Sequence, residues 1–286
     1  MIYNANGDAL DTAYDIQGQI INSAYDISGD IIYNARSLKI MTYNVGQWYT
    51  GANTRVPEDK KQEYYALQYG TFERNPVDVL FMQEYLNSWC VDDSSAQTDF
   101  IQPFFAYQEV TNPTGYVGHS ICAKMPISNY ISHQFTPIVG PYPSFETAQI
   151  VFDEKNITII NTHNNYLIAP QTDNVTDLLE AIAELDYFIL CGDFNIDLAA
   201  HNTSSEQYQN SVQRFLDAGY NVGNCVVDWI PTYFGTSSAT GGKFTDQIVT
   251  SPNITIKRIY ADTAKLTDDI ADKIDHLPLI AELIVN

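Results

Sequence analysis

Positive charge is what this chain has least of. Its 286 residues hold 14 Lys and Arg against 35 Asp and Glu, a net charge of −21. Such a chain repels polyanions at long range. It lacks the supply of Lys and Arg with which proteins neutralise many phosphates at once. Action on a single phosphate group stays open if a metal ion screens the site. Long apolar runs are missing too. None approaches the ~18 residues of a membrane-crossing helix, so no transmembrane segment is expected. The opening MIYNANGDALD has no basic stretch and no apolar core, so no secretory signal is expected; a cytoplasmic address and attachment to a larger particle or surface both stay open. Cysteine is scarce. Cys90, Cys122, Cys191 and Cys225 lie far apart without CxxC spacing, which argues against a structural zinc site. Cys122 and Cys191 fall in apolar runs and are expected as buried thiols.

Apolar residues make up 45% of the chain, enough for a full core, and twenty tyrosines suit a strand-rich fold. The first stretch repeats itself. YNANGDALDTA, YDIQGQIINSA and YDISGDIIYNA align Tyr3, Tyr14 and Tyr25, then Gly7, Gly18 and Gly29, with a period of eleven residues. A glycine in every unit opposes a helix by about 1 kcal/mol each. Asp-x-x-Gly between β-branched residues fits turns joining short strands. Three such units bury little alone, so residues 1–36 are expected to form a β-rich repeat segment that supports self-association, followed by one domain over 37–286.

From Ser37 onward, apolar strands alternate with a few helices. SLKIMTYNVG, VDVLFMQE, NITIINTHNN and YFILCGDFN read as strands with polar tips, and FFAYQEV, HSICAK, SNYISHQF and ETAQIVF as further strands. Helices are expected over Glu58–Arg74, Thr172–Leu185 and Ser205–Ala218. The pattern predicts an α+β fold: a four-layer α/β/β/α sandwich of two packed mixed sheets flanked by helices.

The polar tips carry the chemistry. Asn44, Glu84, His163, Asp193 with Asn195, and Asp275 with His276 each close an apolar strand or open one. Buried strands read as near-continuous apolar runs, and rigid strand ends commonly present functional groups. Carboxylates, carboxamides and imidazoles together are the donor set of a hard-cation site.

The ordered stretches KIMTYNVG, DVLFMQE, INTHNN, CGDFN, TDQIVTS and DHLPL resemble those of the endonuclease/exonuclease/phosphatase superfamily, the deoxyribonuclease I-like fold. The resemblance implies a divalent-metal-dependent phosphodiesterase that hydrolyses nucleic acid by in-line attack of water, with Mg²⁺, or Mn²⁺ or Ca²⁺, as cofactor. It implies metal-binding roles for Glu84, Asn44 and Asp275. Asp193 would align or deprotonate the water, Asn195 would hold the phosphate or nucleophile, and His163 and His276 would face the scissile group. Asp246 would orient His276. Gly192 is expected to let the backbone approach the site, and alternation along the strand is expected to turn Asp275 and His276 to different partners. The carboxylate that orients His163 is not identifiable in the sequence, where Glu109 and Glu146 are both candidates.

Three departures bear on substrate. Ile274 stands where the family often has Ser, PSFETAQIVF has no Arg or Lys, and no basic cluster suits several phosphates at once. A phospholipid or small phosphomonoester is therefore the alternative substrate. An inactive domain on a fibre or adhesion protein is a third reading, prompted by the repeats. The loop aromatics Trp48, Tyr49, Trp229, Tyr233 and Phe234, with Arg55 and Lys243 near them, could stack on bases, enter a lipid surface or simply pack under loops. His119, His133 and His201 match no motif and are read as structural or surface groups.

Overall fold

The computed structural model describes residues 2–3, 9–10, 23–25, 31–34, 36–46, 61–85, 101, 103–111, 118–139, 144–196, 201–233, 242–264 and 275–286. Trp48, Tyr49, Arg55, Cys90, Phe234, Ile274 and most of the repeat segment lie outside them. Within that segment β1 (Ile2–Tyr3) pairs antiparallel with β2 (Ala9–Leu10), and β3 (Ser23–Tyr25) with β4 (Ile31–Asn34).

Two six-stranded sheets build the rest. One has the order β15 (Ile254–Ala261), β16 (Leu279–Val285), β5 (Ser37–Asn44), β6 (Val79–Tyr85), β8 (Gly118–Ala123), β7 (Tyr107–Thr111). The other has the order β13 (Asn221–Val222), β14 (Asp246–Thr250), β12 (Phe188–Asp193), β11 (Lys155–His163), β10 (Ser144–Phe152), β9 (Ser128–Gln134). β5 and β6 run parallel, as do β11 and β12; the other pairings are antiparallel. Both sheets are therefore mixed, as expected.

Side-chain alternation explains the layers. Between the sheets lie Leu38, Ile40, Val79, Phe81, Ile121, Ala148, Ile150, Ile157, Ile159, Ile189, Cys191, Ile248 and Leu279, one continuous core. The intervening residues face outward onto helices. Met41, Leu80, Met82 and Cys122 pack with Phe72 of α1 (Lys61–Arg74) and with Phe105. Ile160, Phe188, Leu190 and Val249 pack with Val175, Leu178 and Ile182 of α2 (Ile168–Ile182), and with Phe215 from α4 (Val212–Asp217). Strands buried on both faces need apolar residues at every position, which is why they read as unbroken runs.

Two of the expected helices differ in their bounds. α2 ends at Ile182, three residues short of Leu185. α2 begins four residues earlier than Thr172, because Pro170 sits in its first turn, where an N–H has no intrahelical acceptor. The segment 205–218 is two helices, α3 (Glu206–Asn210) and α4, broken at Ser211 with φ −128° and ψ −84°. Cys122, Cys191 and Cys225 are buried free thiols.

Candidate active site

Each core strand keeps its two-residue alternation to the rim, but the inward residues change from apolar to polar there. On β5 the inward series Leu38, Ile40 continues to Thr42 and Asn44; on β6 Val79, Phe81 continues to Gln83. On β11 Ile157, Ile159 is followed by Asn161 and His163, and on β12 Ile189, Cys191 by Asp193. On β14 Asp246 stands two positions from Ile248. The alternation that builds the core thus delivers polar groups from both sheets to one edge.

Asp193 lies at the centre. Its Oδ2 accepts from Asn44 Nδ2 at 3.0 Å and faces His163 Nε2 at 3.3 Å and His276 Nε2 at 3.5 Å. Its Oδ1 accepts from the Asn195 backbone N–H at 2.7 Å. His276 Nδ1 is 3.0 Å from Asp246 Oδ2, so the imidazole stands between two carboxylates. Asp246 Oδ2 also accepts from Thr245 Oγ1 at 3.0 Å. Burial pushes the Asp193 carboxyl up, but His276 and His163 outweigh it and hold the group well below the usual carboxylate range. Burial pushes the His276 imidazole down, but Asp246 and then Asp193 overcome it and lift it to about 10.

A cleft of about 320 Å³ opens above these groups, lined by Glu84, His163, Tyr166, Asp193, Asn195, Tyr233, Lys243, Thr245, Asp275 and His276. Six of the residues expected from the sequence are on its wall: Glu84, His163, Asp193, Asn195, Asp275 and His276. Asn44 and Asp246 are not wall residues but support it from behind, Asn44 through Asp193 and Asp246 through His276. The Asn44 Oδ1 accepts from the Gly46 N–H at 3.0 Å.

Backbone geometry aims two of the wall groups. Glu84 has φ 53°, beside a register shift between Gln83 and Tyr85 in the pairing of β6 with β8. A bulge of this kind re-aims a side chain at a strand end. It turns Glu84 to the cleft although its neighbour Gln83 already points inward. Asn195 has φ 51°, and its Nδ2 donates to the Asn164 carbonyl at 2.7 Å.

Several expectations need correction. Asp275 and His276 both line the cleft instead of facing opposite ways, because β16 begins only at Leu279 and strand alternation does not govern the pair. Gly192 serves strand packing: at its φ of 154°, a Cβ would stand 1.9 Å from the Thr162 carbonyl oxygen. Glu146, a candidate partner for His163, bonds His119 instead, at 2.8 Å. Glu109 belongs to edge strand β7. The carboxylate at His163 is Asp193. In the strand of Glu146, β10, which has no Arg or Lys, Thr147 Oγ1 pairs with His133 Nε2 at 2.8 Å.

Sequence reasoning also missed Tyr166 and Thr245 on the wall, and it undervalued His119. His119 is buried at the inward tip of β8, two positions beyond Ile121. It follows the same apolar-to-polar rule as the other tips, and that was its signal. Trp229 packs under its loop, stacked on His201 at 4.4 Å. Tyr233 does reach the cleft, its ring 4.9 Å from that of His276 and 5.6 Å from Lys243 Nζ. Backbone bridges tie Tyr233 to both Lys243 and His276.

The donor set suits a hard divalent cation. Glu84, Asp275 and Asp193 present carboxylates to one cleft with no thiol on its wall, and oxygen ligands are what Mg²⁺ and its relatives require. Atoms of Asp193, Asp246 and His276 lie within 4.8 Å of one another. Their mutual hydrogen bond and ion pairs account for that closeness.

Residues 61–268 match the sequence profile of the Endonuclease/Exonuclease/phosphatase family. No curated protein sequence matches the chain. Among solved structures, D. rerio TDP2 complexed with single strand DNA product is 13% identical, with TM-score 0.63, covering 86% of this chain and 98% of that one. An endonuclease/exonuclease/phosphatase family protein from Leptotrichia buccalis C-1013-b is 16% identical with TM-score 0.63, covering 86% and 99%. SmcL is 15% identical with TM-score 0.60, covering 87% and 99%. At these identities the likeness is one of fold.

Proposed function

Because the chain belongs to the endonuclease/exonuclease/phosphatase family, whose members are hydrolytic phosphoesterases, we propose that it is a metal-dependent phosphodiesterase working by in-line attack of water. The observation that carries this reading is the convergence of Glu84, His163, Asp193, Asn195, Asp275 and His276 on one cleft. Glu84 and Asp275 would hold the cation, with Asn44 steadying Asp193 behind them. A bound Mg²⁺ would act as a Lewis acid, drawing charge from a phosphoryl oxygen. Asp193, kept ionised by its imidazole neighbours, accepts a proton from the attacking water. His276, lifted to about 10 by Asp246 and Asp193, carries a proton on each ring nitrogen; Nδ1–H donates to Asp246, and Nε2–H is free to donate to the oxygen on which charge grows. His163 offers the same from the other side, and Asn195 positions the phosphate or the water. Such donors stabilise the transition state more than the ground state. The same convergence argues against an inactive fibre domain.

Two substrate classes follow from this reading. Nucleic acid follows from the motif set, and Tyr166 and Tyr233 could stack on bases. A phospholipid or small phosphoester is favoured by a specific feature. Lys243 is the one Lys or Arg on the wall among the described residues, and Tyr166 on the wall and Leu167 next to it in sequence are 57% and 50% exposed. Purified protein incubated with Mg²⁺, Mn²⁺ or Ca²⁺ against plasmid, single-stranded DNA, sphingomyelin, phosphoinositides and nucleotides should hydrolyse one of these classes, and His276→Ala should not. Inertness towards all of them, and towards bis(p-nitrophenyl) phosphate, would sink the reading.

A further inference from the structure

His119 on β8 and Glu146 on β10 are 1% and 0% exposed and lie beside the cleft without lining it. His119 stands opposite Gln83, and Glu146 opposite Asn161. Gln83 Nε2 donates to Asn161 Oδ1 across the gap between the sheets at 2.7 Å. Cross-strand partners share a face, so His119 and Glu146 also point into that gap. There His119 Nδ1 meets both Glu146 oxygens, at 2.8 and 2.7 Å. One step deeper on the same strands sit Ile121 and Ala148, in the apolar core.

Packing alone does not call for this pair. An apolar pair of similar volume in such a place is often equal or better for stability. The pair does have an effect on its neighbour. Bonding to the carboxylate puts a proton on His119 Nδ1 and fixes the ring. Its buried Nε2 has no hydrogen-bond partner among the described residues. The His119 ring lies 6.4 Å from the His163 ring, centroid to centroid, tilted by 44°, within the range of interacting aromatic pairs. His163 is thus held from two directions. Asp193 takes its Nε2 edge, and His119 lies against its ring.

We propose that His119, fixed by Glu146, is a positioning residue that sets the ring plane of His163. The proposal rests on the catalytic part assigned to His163 above. It explains why a polar pair occupies the inter-sheet gap. An imidazole seated on a bare apolar wall would be free to rotate about its side-chain bonds, and an imidazole seated on a clamped ring is not. Loss of the outer partners that orient metal-bound histidines costs about 10- to 100-fold, and an effect of that order is expected here.

The test replaces the pair by an apolar one, His119→Leu with Glu146→Leu, and in parallel removes only the ring with His119→Gln, whose amide still donates to Glu146. Wild type and both variants are compared by thermal melting, by kinetics on bis(p-nitrophenyl) phosphate with Mg²⁺, and by the ¹⁵N imidazole signals of His163. Expected are a folded double variant, kcat lower by about 10- to 100-fold with KM within about twofold, and displaced or broadened His163 signals in both variants. If the His163 signals of a folded variant coincide with those of wild type, the proposal is overturned, whatever the activity. If the wild type hydrolyses nothing, the functional reading fails instead, and the His163 signals still decide the positioning claim. Should the double variant not fold, the His163 signals of His119→Gln alone decide between the two outcomes.

Discussion

Asp193 Oδ2 faces Asn44, His163 and His276, which come from three different parts of the chain. Replacing it by Asn keeps the shape but removes the charge that both imidazoles rest on. Asp193→Asn should therefore lower kcat by about 10²- to 10⁴-fold, the range for a lost general base, as measured on a diester with circular dichroism unchanged. The charges also set a pH window for folding. His276 is lifted from 6.5 to about 10, so its contribution to the stability of the metal-free protein is complete below about 6.5 and fades as pH climbs towards 10. Asp193 is depressed from 3.8, so its contribution is present above about 3.8 and is lost as pH falls below that. Thermal unfolding in chelator should show a decline on the alkaline side that His276→Asn flattens. An equally steep decline in that variant would mean the ion pairs do not govern it.

At the level of single elements, Gly192 shows how tightly β11 and β12 are seated. Any side chain there meets the Thr162 backbone, which must shift, and φ is unfavourable as well. Gly192→Ala should destabilise the protein by about 3 kcal/mol, read as a lower denaturation midpoint, and should lower activity because Asp193 is the next residue. The strands and their polar tips were legible in the sequence, because a strand buried on both faces leaves a run such as FILCGDFN with no other good explanation. Helix ends were less legible: α2 was expected from Thr172 but begins at Ile168, with Pro170 tolerated in its first turn. The pairing of His119 with Glu146 was not legible. It depends on which strands neighbour one another across two sheets, and the 27 positions separating them carry no sign of it. Asp275 and His276 misled for a related reason, since alternation was applied where no strand exists.

On the scale of the whole molecule, a net charge of −21 opposes the compact state through self-repulsion, so a cation bound as proposed would stabilise the fold as well as serve the reaction. A ligand that binds only the folded state raises stability by mass action. Millimolar Mg²⁺ should raise the melting temperature of the wild type, and Glu84→Gln with Asp275→Asn should remove that rise. If both proteins respond alike, the cation sits elsewhere. The repeat segment invites a separate measurement. Removing residues 1–36 should convert a self-associated species to a monomer in light scattering while leaving diester hydrolysis intact. A solution mass per chain that is the same with and without the segment would refute that role.

The alternation that lifts polar groups to one edge makes the site sensitive to insertions as well as to substitutions. One extra residue in β12 directly after Ile189 would invert the phase of everything after it. Cys191 and Asp193 would exchange sides with Leu190 and Gly192 while the hydrophobic content stayed almost the same. Such a protein could still collapse around its sheets, yet it would be catalytically blind. For this chain, counting along a strand matters as much as the identity of the residues counted.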